Sequence, residues 1–325
     1  MQLQFNKKEK EFKEAIAKTV AFFDLFDYPL TEFELWQLIN IKCEYSKWQK
    51  FLSSDSALDN IEQKNGFYFL PGRSEIIKTK MKRYWYADNK LKRASIIAKV
   101  FKFIPWIRMI AVGNIIGTYN LKQESDIDLF IVTENKRIWL TRFFCASLMK
   151  LLGLRPKQGR EKDKICLNFY VSMEAIILKE LMLAGSNDIY FIYWLAGLVP
   201  VYDTGGVYEK FIKANSWIKE YLPNWLGLSK IKMKKPRDGN RGFFLFYHEI
   251  VDLLLGGLEQ NARKLQLKKM PSDLKKTMNK DTRVIVNDQI LKLHIKDRRE
   301  EYRQKWQKKI VDIELLKWTL KQDNK

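Results

Sequence analysis

The chain has 325 residues, of which 46% are hydrophobic, 14% aromatic and 30% charged. That mix excludes wholesale disorder, and at roughly 150 residues per domain the length predicts about two domains. Lys plus Arg outnumber Asp plus Glu by 59 to 38, a net charge of +21 that favours polyanionic partners such as nucleotides or nucleic acid.

The excess is uneven: residues 1–86 carry a net +2, residues 87–235 a net +11 and residues 236–325 a net +8. The richest apolar run, residues 243–258, is interrupted by His248, Glu249 and Asp252, so no membrane partner is expected. Residues 1–14 mix Lys and Glu without the apolar segment of a leader peptide. Cys43, Cys145 and Cys166 are far apart, with neither a metal spacing nor a disulfide framework. The expected location is the reducing cytoplasm.

In chain order, Phe12, Ile16, Val20 and Phe23 recur at helical spacing and predict a helix over residues 10–24. Thr31 with Glu34 three residues later is a capping-box pattern for a second helix to Ile39, and a third is expected over residues 46–53. Asn65-Gly66 between short apolar runs predicts a hairpin over residues 61–70. Three helices and a hairpin in this order describe a winged helix-turn-helix over residues 8–73. Lys47 and Lys50 are the only bases on its candidate recognition helix.

A long connecting helix is expected over residues 74–104, with the aromatic cluster Tyr84-Trp85-Tyr86 in the core. Residues 107–112 and 126–132 read as strands, 137–152 as a helix and 165–171 as a third strand. Helices are expected over 176–183, 188–198, 207–221 and 243–267, with Gly205-Gly206 forming a turn. Residues 284–295 read as two short strands around Asn287-Asp288, and 299–320 as a basic helix. His248 and His294, without a second ligand at metal spacing, read as packing or surface residues. The fold class is therefore α+β: a winged helix, a connecting helix, an α/β domain over residues 105–235, and a helical C-terminal region with a small hairpin over residues 236–325.

The sharpest chemical signal is Ser125-Asp126-Ile127-Asp128-Leu129. Alternate strand residues share a face, so Asp126 and Asp128 point the same way while Ile127 and Leu129 point into the sheet. Two carboxylates on one face repel each other unless a divalent cation neutralises them. Such a pair is what phosphoryl transfer needs.

The apolar run Met109 to Val112 leads into Gly113-Asn114, and the Asp pair follows after a polar loop. This order resembles the nucleotidyltransferase superfamily related to DNA polymerase β, in which a Gly-Ser turn precedes Asp-h-Asp by about a dozen residues. More narrowly, the chain resembles bacterial nucleotidyltransferase-domain proteins with an N-terminal winged helix. The segments that carry this narrower likeness are Phe-Asp-Tyr-Pro-Leu-Thr at 26–31, Pro-Gly-Arg at 71–73 and Lys-Asp-Lys-Ile-Cys-Leu-Asn at 162–168.

The resemblance implies an enzyme that moves a nucleoside monophosphate from an NTP to an acceptor. It further implies Mg²⁺ (or Mn²⁺) held by Asp126 and Asp128 with Asn168 as a third ligand. Gly113 and Asn114 are then expected on the phosphates, and Ser125 is expected to support the Asp strand through its hydroxyl. The chain departs from the family in having Gly-Asn for Gly-Ser and Asn168 where many members place a third carboxylate; Asp163 reads as a loop charge. These departures and the net charge support an alternative, a non-catalytic regulator associated with nucleic acid. Its contact would run through the catalytic domain and the basic C-terminal helix, where Arg298, Arg299, Arg303, Lys305, Lys308 and Lys309 form the dense cluster.

Overall fold

The structure is a computed structural model that describes residues 2–54, 58, 60–113, 119–157, 159–184, 188–227 and 241–322. The chain is mixed α+β. Helix α1 (Gln2–Asp24) begins well before residue 10, and β1 (Leu30–Thr31) follows. The capping box forms as the sequence predicts. Thr31 caps α2 (Glu32–Leu38): its hydroxyl accepts from the Glu34 N–H at 3.2 Å, and the Glu34 carboxylate accepts from the Thr31 N–H at 2.8 Å. Thr31→Ala removes one side of this reciprocal pair. It is expected to cost about 1 kcal/mol, read as a lower midpoint with an unchanged slope in urea unfolding.

Helix α3 (Tyr45–Leu52) leads to the hairpin of β2 (Glu62–Lys64) and β3 (Phe67–Phe69). Asn65 and Gly66 both take positive φ, 53° and 77°, as a two-residue hairpin turn requires. The order of this small sheet is β1-β3-β2.

Helix α4 (Ile76–Phe101) is followed by β4 (Ile107–Val112), β5 (Ile127–Thr133), α5 (Ile138–Leu151) and β6 (Ile165–Ser172). Then come α6 (Ile189–Ala196), β7 (Val199–Asp203) and α7 (Val207–Ala214). The chain closes with α8 (Arg241–Leu255), α9 (Glu259–Lys268), α10 (Ser272–Thr277), β8 (Val284–Val286), β9 (Ile290–Leu293) and α11 (Arg299–Gln322). The large sheet has the order β7-β4-β5-β6-β9-β8. The β5–β6 pair is parallel, with α5 as its crossover, and the other pairs are antiparallel. The C-terminal hairpin therefore extends the sheet of the middle region, with β9 paired on β6.

Five sequence expectations change. The helix expected over residues 243–267 breaks at a 3-10 turn, Gly256–Leu258, into α8 and α9. Residues 176–183 do not form a helix but two 3-10 turns, Met173–Ala175 and Lys179–Leu181. Side chains claim the backbone groups that a helix would pair. Asn215 accepts from the Leu178 N–H at 2.8 Å and donates to the Ile176 carbonyl at 2.7 Å, and Asp188 accepts from the Leu183 N–H at 3.1 Å. The same Asn215 ends α7, and residues 216–220 continue as a 3-10 turn. Strand β7 was not foreseen; Pro200 lacks a donor, and the strand lies at the sheet edge, where that is tolerated. The expected core aromatics Tyr84 and Trp85 are 52% and 64% exposed. They sit on the outer face of α4, and Tyr84 stacks on Tyr119 with centroids 4.7 Å apart.

Strand alternation sends side chains to two cores. Met109, Ala111, Phe130, Val132, Phe169 and Val171 join a cluster with α1, α2, α6 and α7. Ile110, Val112, Ile127, Leu129, Ile131 and Leu167 join a second with α4, α5 and α9. The N-terminal helices share the first core with the sheet. Asn224 reinforces that packing by accepting from the Cys43 N–H and donating to the Trp36 and Ile41 carbonyls. Helix α5 lacks a cap from its own N-cap residue; Glu259 of α9 supplies one, accepting from the Trp139 and Leu140 N–H groups at 2.9 Å. Among the described residues no helix is long and apolar enough to cross a membrane.

Candidate functional site

Strand β5 starts at Ile127, so Asp126 stands one residue before it and Asp128 is its second residue. Ile127 and Leu129 are buried in the second core, while the two carboxylates are half-buried on the opposite face, with Phe130 and Val132 beyond them. The shared face expected from the sequence is therefore present. The β5–β6 register places Cys166 beside Asp128 and Phe169 beside Phe130. Two residues of β6, Leu167 and Asn168, thus oppose the single Leu129, a bulge that is uncommon in parallel pairs. Its consequence is that a thiol faces the carboxylates. Donor atoms of Asp126, Asp128 and Cys166 lie within 4.8 Å of one another.

The electrostatics of this trio are costly for anions. Burial, with the Asp128 charge adding to it, pushes Asp126 up to about 7. Burial likewise raises Asp128, against a hydrogen bond from Cys166 that lowers it. The Cys166 thiol is driven well up by burial and by both carboxylates, so it stays protonated and donates to Asp128. A divalent cation would reverse these preferences, and paired carboxylates suit a hard cation such as Mg²⁺ or Mn²⁺. The donor set therefore fits a cation.

The loop before Asp126 is held from below. Lys90 of α4, buried, donates to the Ser125 carbonyl and to Asp163, both at 2.6 Å. Asp163 sits in left-handed backbone with φ 58°, and its N–H donates to the same Ser125 carbonyl at 3.1 Å. Asp163 is thus a buried lysine's partner and not a solvated charge. Ser125 acts through its carbonyl; its hydroxyl, expected to brace the Asp strand, donates instead to the Lys122 carbonyl at 3.0 Å.

Gly113 closes β4 and donates its N–H to the Asp128 carbonyl at 2.9 Å, so that N–H is engaged within the sheet. A Cβ at Gly113 would come within 3.1 Å of the Trp194 indole, which explains the need for glycine there. Asn114, the other phosphate-turn residue expected from the sequence, lies outside the described residues.

A cavity of about 190 Å³ opens beside Asp128, and Gly113 and Asn168 both line it. Its aromatic side is α6, where Trp194 stacks on Phe191 and on Phe169 at 5.4 and 5.5 Å. Tyr190 of α6 and Tyr302 of α11 stack almost parallel, 5.1 Å apart. The far wall comes from β9 and the start of α11, and it carries Lys292, Lys296, Arg298 and Arg299.

Two of these cations are built in. Arg299 is buried and donates to Asp188 and Asp297, at 2.8 and 2.9 Å. Lys292 is buried and donates to Asp297 at 3.0 Å; burial and the Arg299 charge bring it down to about 8. His294 lines the same wall. Burial, then the Lys292 charge, lowers it to about 4, so its imidazole is neutral at pH 7. Its Nδ1 is buried without a hydrogen-bond partner among the described residues. A histidine read from sequence as packing is thus a neutral imidazole in the cavity wall.

The basic cluster on α11 has a different outcome from the one the sequence implied. Arg298 pairs bidentately with Glu301, Arg303 with Glu300, Lys305 with Glu301, Lys309 with Asp24, and Arg299 is buried as described. Most of that charge is therefore met within the fold. No protein-family model, no curated protein and no solved structure matches the chain.

Proposed function

We propose that the chain is a divalent-cation-dependent nucleotidyltransferase that moves a nucleoside monophosphate from an NTP to a separate acceptor. One observation carries this reading: Asp128, one of a close carboxylate pair, lines a cavity that is also lined by lysine and arginine side chains, two of them paired with Asp297, and by aromatic rings. Few ligands need all three, and a nucleotide bound with a cation does. On the same reading, β4, β5, α5 and β6 are the nucleotidyltransferase core. The N-terminal helices with the β1-β3-β2 sheet are a winged helix that packs on this core.

Asp126 and Asp128 are the residues that would hold Mg²⁺ or Mn²⁺, with Asn168 beside them on the cavity wall. The cation would neutralise the carboxylates and the phosphate charge that grows as the α-phosphorus is attacked. Lys296 on the cavity lining offers a positive charge to the polyphosphate, whereas Arg298 would have to leave Glu301 to do so. Trp194 and the Tyr190–Tyr302 stack offer flat apolar surface to a base or sugar. His294, held neutral by burial and the Lys292 charge, resists protonation, so it lines the cavity as an uncharged polar group and not as a proton acceptor. The alternative of a nucleic-acid regulator keeps the net charge of +21, but five of the six residues in the cluster assigned to its contact are ion-paired with carboxylates of this chain.

Calorimetric titration with NTPs in the presence and absence of Mg²⁺ tests the proposal. The wild-type protein should bind only with the cation, and the Asp126→Ala, Asp128→Ala double variant at least about tenfold more weakly, a loss of about 1.4 kcal/mol. Equal affinities in the two proteins would overturn it.

A further inference from the structure

Cys166 is the part of the carboxylate site that the functional reading leaves without a task. It is 7% exposed, on the strand next to Asp128, and the register that pairs the two residues puts their side chains on one face. Had the pairing run on without the bulge, Asn168 would follow as the next residue on that face; the bulge gives that place to Phe169 instead. The side chain that meets the carboxylates is therefore a thiol.

We propose that Cys166 is the third protein ligand of the cation held by Asp126 and Asp128, and that the site takes a borderline-soft divalent cation of the zinc or cobalt type in preference to Mg²⁺. This rests on the reading of the carboxylate pair as a cation site.

Distance supports it. Ligand oxygens sit about 2.0–2.2 Å and thiolate sulfur about 2.3 Å from such a cation, so donors sharing one tetrahedral ion are about 3.5 Å apart. The three donors here already lie within 4.8 Å of one another. Side-chain rotation alone can bring them onto one ion.

Chemistry supports it as well. Carboxylate and amide oxygens do not separate Mg²⁺ from Mn²⁺ or Zn²⁺ strongly, whereas a thiolate adds a bond that Mg²⁺ does not value. The fold already places the sulfur, since the parallel register sets Cys166 beside Asp128. On binding, the S–H bond breaks, the proton leaves to solvent, and a sulfur–metal bond takes the place of the hydrogen bond. Cys145 is not part of the cluster and serves as an internal control; it is buried in the second core, beside Tyr170.

Cobalt(II) is the probe, because it shares the ligand preferences of zinc and reports a thiolate ligand by charge-transfer absorption in the near ultraviolet. The full-length protein titrated with Co²⁺ should develop that band, and Cys166→Ser should not, with Cys43 and Cys145 still in place. Competition with Zn²⁺ should show an affinity at least about tenfold lower in Cys166→Ser, while Mg²⁺ affinity stays level. Cys166→Asp should move the preference back toward Mg²⁺. Cobalt binding without the band in the wild-type protein would overturn the role of Cys166 whatever the variants do. So would a band that persists in Cys166→Ser. Mg²⁺-dependent nucleotide binding alongside either of those results would leave the carboxylate reading intact. The absence of binding by any divalent cation, with or without nucleotide, would overturn both.

Discussion

With a chelator present, the Asp126→Asn protein gains stability over the wild type as pH rises from 3.8 to about 7, and a saturating divalent cation cancels or inverts that gain. The sign follows from where the proton sits. In the unfolded chain Asp126 releases its proton near 3.8, whereas burial and the Asp128 charge hold the proton on the folded protein up to about 7. Stability from this group is fully present below 3.8 and is lost as pH rises through about 7. Asparagine does not titrate, so the variant escapes that loss, and the two stability curves diverge across the window.

The cation acts on the other side of the balance. It binds the native carboxylates and not the unfolded chain, so at a hundred times its Kd it adds about 2.7 kcal/mol to the wild type. The variant, missing one of two charged ligands, should gain far less. Thermal melts at several pH values, with chelator and with Mg²⁺ or Mn²⁺, would show this as a difference of about 1.5 °C per kcal/mol for a chain of this length. Parallel curves for the two proteins would remove the carboxylate repulsion from the account. A site that destabilises its own apo fold is the expected cost of holding ligands ready.

What the sequence disclosed here is what neighbours in the chain decide. The Thr31–Glu34 box, the Asn65-Gly66 turn and the strand at Ile107–Val112 rest on spacings of one to four residues, and each forms where the pattern puts it. The shared face of Asp126 and Asp128 follows from the two-residue period of a strand. What stayed hidden depends on pairings between distant segments. Cys166 meets Asp128 because a bulge resets a parallel register, and nothing local marks a bulge there. The cationic wall reaches the cavity because β9 pairs with β6, which brings residues 292–302 beside residue 128. Lys90 is one of several bases on α4, and nothing in its neighbours marks it as buried under the loop that carries Asp126. Residues 176–183 had a helical pattern, but Asn215 and Asp188 compete successfully for their backbone.

A second buried lysine on the same helix carries the largest expected loss of stability: Lys80→Met should cost about 3–5 kcal/mol, the range for removing one partner of a buried ion pair. Lys80 is 8% exposed. Its ammonium donates to Glu34 at 2.7 Å and to the Pro29 carbonyl at 2.9 Å, and it lies 4.0 Å from the centroid of the Tyr28 ring. Glu34 in turn accepts from the Thr31 N–H and hydroxyl and from the Tyr28 hydroxyl. One lysine therefore fastens α4 to the cap of α2 and to the turn before it. Burial raises the Glu34 carboxyl, but the Lys80 charge and these hydrogen bonds outweigh burial and hold it below its ordinary value.

Methionine keeps most of the stem and its packing, so the loss isolates the charge. Glu34 would be left buried without a cation, and its carboxyl would rise. The deficit of Lys80→Met should thus be full only above the raised Glu34 value of the variant, itself above the ordinary 4.5, and shrink as acid protonates Glu34. Adding Glu34→Gln to Lys80→Met removes the stranded charge and should recover more than half of the loss, since the amide oxygen can still accept from Thr31 while its NH2 donates to the Tyr28 hydroxyl. Urea unfolding of the two single variants and the double variant closes the cycle and gives the coupling directly. A cost below about 1 kcal/mol for Lys80→Met, the range of an exposed pair, would mean that water reaches Glu34 and that packing alone joins α4 to the N-terminal helices.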